Sequence, residues 1–315
     1  MIRLRSVARS VAVMLETIDL TRRFGPVTAV DKVSISVRSG ELTGFVGGNG
    51  AGKTTTMRMV MGVLGIHGGR VTWQGRDVTA ADRRRFGYMP EERGLYPKQG
   101  VLDQLVYLGQ LAGMSAVAAR RSAAGLLDRF GLADRARDKV EKLSLGNQQR
   151  VQIIGAVLAD PVAMVLDEPF SGLDPTAVDA MADLLREHTR RGVPVLFSSH
   201  QLDLVDRLCD RLVIMARGRV VAAGTVDELR AGFPPRHRLV VAGDAGWTRD
   251  VRGVHVVDVD GGTALVEAED GDPGADGQVA ASLQALLREA VRRDTVLEFG
   301  PVVPPLSELY REVAA

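Results

Sequence analysis

Eight consecutive residues, Gly47-Gly48-Asn49-Gly50-Ala51-Gly52-Lys53-Thr54, have the types and spacing that hold a polyphosphate, GxxxxGK(S/T). The glycines let the backbone curl so that several N–H groups point inward, and a helix starting at the loop's end adds its positive dipole end. Lys53 can reach the outer phosphates as a point charge, the Thr54 hydroxyl can ligate Mg²⁺, and Thr55 ends the loop. A glycine-rich turn with a chance Lys-Thr would share these letters. Here, however, the apolar strand pattern Leu42 to Val46 precedes the loop and the helical pattern Thr55 to Leu64 follows it. The loop therefore predicts nucleotide binding.

Three later segments bear on which nucleotide chemistry follows. Ala163-Met164-Val165-Leu166 is an apolar strand that ends in Asp167 and Glu168. Two carboxylates there can divide the work, one on a metal and one polarising a water. Helix capping would account for one of the acids but not for the apolar run. Ser198-Ser199-His200 ends another strand; alone, His200 reads as an ordinary strand-end histidine. Leu143-Ser144-Leu145-Gly146-Asn147-Gln148-Gln149-Arg150 opens a helix, with Ser144 a good N-cap.

In this order the segments resemble the nucleotide-binding domain of the ATP-binding cassette (ABC) family, over Leu15 to about Gly232. The resemblance implies ATP and Mg²⁺ as ligands, with Thr54, Asp167 and Glu91 at the metal. It implies that Glu168 directs the attacking water and that His200 contacts the γ-phosphate and orients Glu168. Ser144, Gly146 and Asn147 would close over the γ-phosphate held by another subunit, and Ser171 to Asp174 would couple the two sites. Phe24 stands where an aromatic residue, usually tyrosine, stacks on adenine; read by itself it could equally be core. Three positions depart from the commonest pattern: Leu145 for glycine, Asn147 for glutamine and Glu91 for glutamine. The stretch Pro90 to Tyr96 is similar to export-type ATPases linked to sodium or drug efflux, which also carry a small C-terminal domain.

The elements around these groups read as an α/β chain. Period-two alternation marks strands at Leu15 to Leu20 and Val33 to Val37, and strand-like runs occur at Val71 to Trp73, Phe86 to Met89, Val193 to Ser198 and Arg211 to Met215. Helical spacing dominates from Val101 to Ala136 and again over Asn147 to Ala159, stopped at Asp160-Pro161. The expected fold is a P-loop NTPase core of ABC type with a mixed sheet, a helical subdomain (about 91–160) and an antiparallel β subdomain. Residues 14–232 form that ATPase domain. A small α+β accessory domain follows at 236–315, with a strand at Arg238 to Ala242, a hairpin at Val254 to Ala268, a polar loop at Asp270 to Gly277 and a helix at Val279 to Arg292. Residues 1–13 are expected to be a disordered extension, with Met14 an alternative start.

Composition limits the partners. The 315 residues carry a net charge of +1, so the chain as a whole is not built to grip nucleic acid. One cysteine, Cys209, and five scattered histidines exclude a disulfide framework and a histidine-rich metal site, and fit a cytoplasmic location. No apolar run is long enough to span a bilayer, so a transport role needs a separate integral-membrane permease, which would hold the chain on the inner face of the cell membrane. One chain has one phosphate loop and one signature helix, so a second copy or a paralogous ATPase subunit must complete the site. The alternatives are a soluble ABC ATPase acting on nucleic acid or the ribosome, and a regulatory cassette without turnover. The first commonly has paired cassettes, long insertions or zinc-binding cysteines, and Lys53, Asp167, Glu168 and His200 argue against the second.

Overall fold

The computed structural model describes residues 13–92, 94–232, 234–268 and 281–314. Residues 1–12 of the expected extension, Arg93, Phe233, the Asp270 to Gly277 stretch and Val279 lie outside the described residues. In chain order the first unit holds β1 (Val13–Phe24), β2 (Val27–Arg38), β3 (Leu42–Gly47), α1 (Lys53–Val60), β4 (Gly68–Trp73) and β5 (Arg76–Asp77). It continues with α2 (Ala80–Arg83), β6 (Phe86–Met89), α3 (Val101–Leu111), α4 (Ala116–Arg129), α5 (Leu145–Val157), β7 (Ala163–Leu166) and α6 (Pro175–Arg190). Last come β8 (Val195–Ser199), α7 (Leu202–Leu208), β9 (Arg211–Ala216) and β10 (Arg219–Thr225), after which α8 (Val226–Arg230) leads into the second unit.

Two sheets organise this unit. One is six-stranded, in the order β10-β9-β3-β8-β7-β6; β9, β3, β8, β7 and β6 run parallel and β10 is an antiparallel edge. The other, β2-β1-β4-β5, is wholly antiparallel. The parallel strands are short and buried along their length, as strands covered on both faces must be. Helix α1 touches β1, β2 and β3 and so packs against both sheets. Its Met57, Met59 and Val60 are fully buried in a core shared with Leu20, Ile35, Phe45 and Val165. Each such side chain contributes roughly 1.5–3 kcal/mol by leaving water.

The β1–β2 hairpin is longer than alternation alone predicts, and the reason is physical. Asp19 and Lys32 sit at φ of 50° and 49°, and the pairing register slips around them. Each slip flips which side chains face the core, so the period-two signal is broken while the hydrogen-bonded ladder continues. Helix α5 likewise begins at Leu145 rather than Asn147, and stops before Asp160, which takes φ 52° ahead of Pro161. Helices α3, α4 and α5 pack on one another through Leu105, Ala119, Ala123, Leu127, Val151 and Ile154, all buried.

A second compact unit spans Asp227–Glu312, so the division falls inside α8, a few residues before the Phe233-Pro234-Pro235 composition change. It contains β11 (Arg236–Val241), β12 (Val254–Asp260), β13 (Thr263–Ala268), α9 (Ala281–Arg293), β14 (Val296–Val302) and α10 (Leu306–Ala314). The strands form an antiparallel sheet in the order β12-β13-β11-β14. Helix α9 buries Leu283, Leu286 and Ala290 against Leu239, Val241, Ala264 and Val266, whereas Val291 is 65% exposed. One residue off that apolar face, Arg236 is buried between Glu267 and Glu308.

Candidate functional site

Strand β3 delivers the chain to Gly47 and α1 receives it at Lys53, so the phosphate loop is the turn between a buried strand and a helix N-terminus. Gly52 closes the turn at φ 104°, and a Cβ there would lie 2.6 Å from the Ala29 carbonyl oxygen. No side chain larger than hydrogen fits. The first turn of α1 carries no acidic residue, which leaves its N–H groups and dipole end for an external anion. Lys53 is only 8% exposed; its Nζ donates to the Gly47 carbonyl at 2.7 Å and to that of Gly48 at 3.4 Å. The mouth of the loop is a cavity of ≈ 350 Å³ lined by Ala29, Asn49 to Thr55, Glu91, Asp167 and Glu168. The expected loop residues are thus brought together with both carboxylates of the β7 end and with Glu91.

Asp167 follows the last residue of β7 and is 1% exposed. Its backbone N–H bonds to the Met89 carbonyl, which ties the tip of β7 to β6. The Ser198 hydroxyl donates to Asp167 Oδ1 at 2.6 Å, while Oδ2 is buried with no hydrogen-bond partner. Burial pushes the Asp167 carboxyl above the ordinary range; the Ser198 hydrogen bond and the nearby Thr54 hydroxyl pull it back, Glu91 raises it and Lys53 lowers it. The Thr54 hydroxyl also reaches Glu91 Oε2 at 3.1 Å. A buried anionic oxygen without a partner, beside a hydroxyl and a second carboxylate, suits a hard divalent cation. Among the described residues no three His, Cys, Asp or Glu side chains converge to chelate a metal by themselves. The donor set fits Mg²⁺, which binds through few carboxylates and takes its remaining oxygens from water and phosphate.

Glu168 occupies the left-handed region at φ 52°, an uncommon conformation for a residue with a Cβ. Three groups hold it there. Its N–H donates to Ser198 Oγ at 2.8 Å, its carbonyl accepts from Gln149 Nε2 at 3.0 Å, and its carboxylate meets His200 Nδ1 at 2.9 Å. Ser198 therefore serves both acids at once, through its proton for Asp167 and its lone pair for Glu168. Neither Ser198 nor Gln149 stands out as a site residue in the sequence. Nothing in the sequence sets Gln149 apart from Asn147, Gln148 and Gln152 on the same helix; in the structure it is 4% exposed, and a buried amide needs partners.

The remaining predicted residues lie away from this cavity within one chain. Ser144 caps α5 by accepting from Asn147 N–H at 3.3 Å, and it is exposed. Gly146 is packed so closely that a Cβ would come within 2.8 Å of the Gly172 carbonyl oxygen. Asp174 caps α6 through the Ala177 N–H at 2.9 Å and pairs with Arg150. The Ala177 bond first, and the Arg150 charge after it, hold its carboxyl below the ordinary range. Phe24 is 47% exposed at the tip of the β1–β2 hairpin, five residues before the cavity-lining Ala29, so it is not a core residue.

Comparison with known proteins bears on this assembly. The ABC transporter family matches residues 30–171. The chain is 43% identical over 229 residues to the ABC transporter ATP-binding protein YhaQ of Bacillus subtilis, covering 72% of this chain and 77% of that one. It is 33% identical over 235 residues to the linearmycin resistance ATP-binding protein LnrL of the same organism, covering 73% of this chain and 76% of the relative. A solved ATP-binding subunit of an ABC transporter superposes with a TM-score of 0.66 at 33% identity, over 70% of this chain and 93% of its own. The chain belongs to the ABC transporter family, and its first unit has the α/β fold of the family's ATP-binding cassettes. No helix among the described residues is long and apolar enough to cross a membrane.

Proposed function

We propose that this ABC transporter subunit hydrolyses MgATP in a head-to-tail pair, with a second copy or a paralogue, and thereby drives export through a separate integral-membrane permease that holds it at the inner face of the cell membrane. One observation carries the reading. The phosphate loop, Asp167 and Glu168 meet in one cavity, with His200 bonded to Glu168, while Ser144 and Gly146 lie outside its lining on the same chain. A site divided in this way is completed by a neighbour. The resistance relative supports export as the direction of transport. We further take residues 14–232 as the cassette and 236–315 as an accessory unit.

The chemistry follows from the residues. On ATP binding, Lys53 exchanges the Gly47 and Gly48 carbonyls for β- and γ-phosphate oxygens, and the N–H groups of the loop and of α1 hold the rest. Mg²⁺, held by Thr54 and Asp167 with Glu91 beside them, would neutralise charge building on the phosphates. Glu168 accepts a hydrogen bond from the water in line with the γ-phosphorus and raises its nucleophilicity. His200 keeps that carboxylate in place and presents its other ring nitrogen to the γ-phosphate. The partner's Ser144 hydroxyl and α5 N-terminus add positive potential from the far side. Phe24 stacks on adenine. Cleavage removes the γ-phosphate that joins the two chains, and the pair reopens.

Glu168→Gln tests this assignment. It keeps the hydrogen bonds of the strained turn but removes the charge that polarises water. Phosphate release should fall by about 10²–10⁴-fold while ATP still binds, and size-exclusion chromatography should show an ATP-dependent dimer. Wild-type turnover in this variant would refute the role.

A further inference from the structure

Phe24 and Arg22 are two residues apart on β1, so their side chains leave the strand on the same side. The Arg22 guanidinium carbon lies 4.8 Å from the centre of the Phe24 ring, over its face. The guanidinium is itself anchored: Nη1 donates to the Gly65 carbonyl at 2.8 Å and lies 3.4 Å from His67 Nε2. His67 is fixed in turn, because its Nδ1 accepts from the Arg23 N–H at 3.1 Å. The loop after α1 thus grips the end of the β1–β2 hairpin by way of one arginine. On the opposite strand, the register slip between Arg22 and Arg23 gives β2 an extra residue, Ala29, which lines the phosphate cavity. Hairpin tip and phosphate loop are therefore held in one local frame.

An exposed phenyl ring at a hairpin tip would ordinarily sample several orientations and offer either face. Here one face is taken by a cation that cannot swing away without losing the Gly65 bond. We propose that Arg22 is a positioning residue for the nucleotide's base: it covers one face of Phe24 and holds the ring so that the other face receives the purine. This rests on the reading of Phe24 as the adenine platform. Arg22 acts through Phe24 and needs no contact with nucleotide. The consequence is selective. Binding of the triphosphate alone does not involve the ring, whereas binding of the base does.

The test compares ATP with inorganic tripolyphosphate, both titrated calorimetrically into the full-length chain with Mg²⁺. Arg22→Leu keeps the aliphatic stem and removes the cation. It should weaken ATP about 2- to 5-fold, the range of an exposed cation–π contact, and leave tripolyphosphate unchanged. Phe24→Ala should weaken ATP about ten-fold or more, again without effect on tripolyphosphate. The double variant should be no weaker than Phe24→Ala, because Arg22 has nothing left to position. Arg22→Lys should recover part of the loss. Unchanged ATP affinity in Arg22→Leu, with Phe24→Ala impaired, overturns the positioning role and leaves the platform standing. Equal losses for ATP and tripolyphosphate would mean that Arg22 only keeps the hairpin folded, which also overturns it. An undiminished Phe24→Ala removes the platform itself, and the proposal with it.

Discussion

Two buried charges, one in each unit, are treated in opposite ways. Arg236 is 7% exposed and faces two carboxylates of its own chain, Glu267 and Glu308. Burial lowers its affinity for a proton, but the two acids outweigh that and raise it. Asp167 is 1% exposed and has no ion pair: Oδ1 accepts from the Ser198 hydroxyl, Oδ2 has no hydrogen-bond partner, and Lys53 acts on it only as a nearby charge. The second unit thus supplies countercharge from within. The cassette leaves its deepest acid without an ion pair, an arrangement that suits a ligand cation. A closed ion cluster specifies a fold, while an open one specifies a binding event.

The contrast can be broken from either side. The largest effect is expected at the closed cluster. Arg236→Ala strands two half-buried carboxylates and should cost about 1.5–3 kcal/mol, read as a lower urea midpoint of the full-length chain. Combining Arg236→Met with Glu267→Gln and Glu308→Gln should restore most of it, and ATP affinity should not change in either variant. A neutral Arg236→Ala would remove one half of the comparison.

The open acid should behave in reverse. Asp167→Asn keeps an oxygen for Ser198 and deletes the unbalanced charge, so it should raise stability by about 1 kcal/mol while abolishing turnover. The sign follows from linkage. Because the folded carboxyl is raised, its ionisation costs stability only as pH climbs above the unfolded range near about 4. The gain should therefore be present at neutral pH and vanish in acid; a loss of stability at pH 7 would contradict it. The smallest effect is expected where a buried acid already has a full set of partners. Arg76 and Thr79 hold the Asp82 carboxyl below its ordinary range. Asp82→Asn should lower the thermal midpoint slightly at pH 7, with the difference shrinking as pH falls below about 4.

Much of the cassette is legible in the sequence because the chemistry is local there. The loop from Gly47 to Thr54, the Asp167-Glu168 pair and His200 each sit at the end of an apolar strand, and a parallel sheet gathers such ends on one side. What stays hidden depends on contacts between distant segments. Gln149 reaches Glu168 across nineteen positions and Ser198 reaches it across thirty, so neither announces a role locally. Arg22 looks like a surface arginine until Gly65 and His67 come beside it. The bulges at Asp19 and Lys32 hide the true length of the hairpin for a different reason. They preserve hydrogen bonding while scrambling the alternation by which strands are recognised.

The approach of Gly146 to the Gly172 carbonyl has a mechanical meaning. With no room for even a methyl group between them, the start of α5 rests directly on the Ser171–Asp174 loop, and the pairing of Arg150 with Asp174 adds a second contact one turn further along. The segment that would be lent to a neighbour's nucleotide and the segment next to the chain's own Glu168 are thereby packed as one piece. In a pair of chains, a push on one end would reach the other, and the two sites would keep time with each other through that packing.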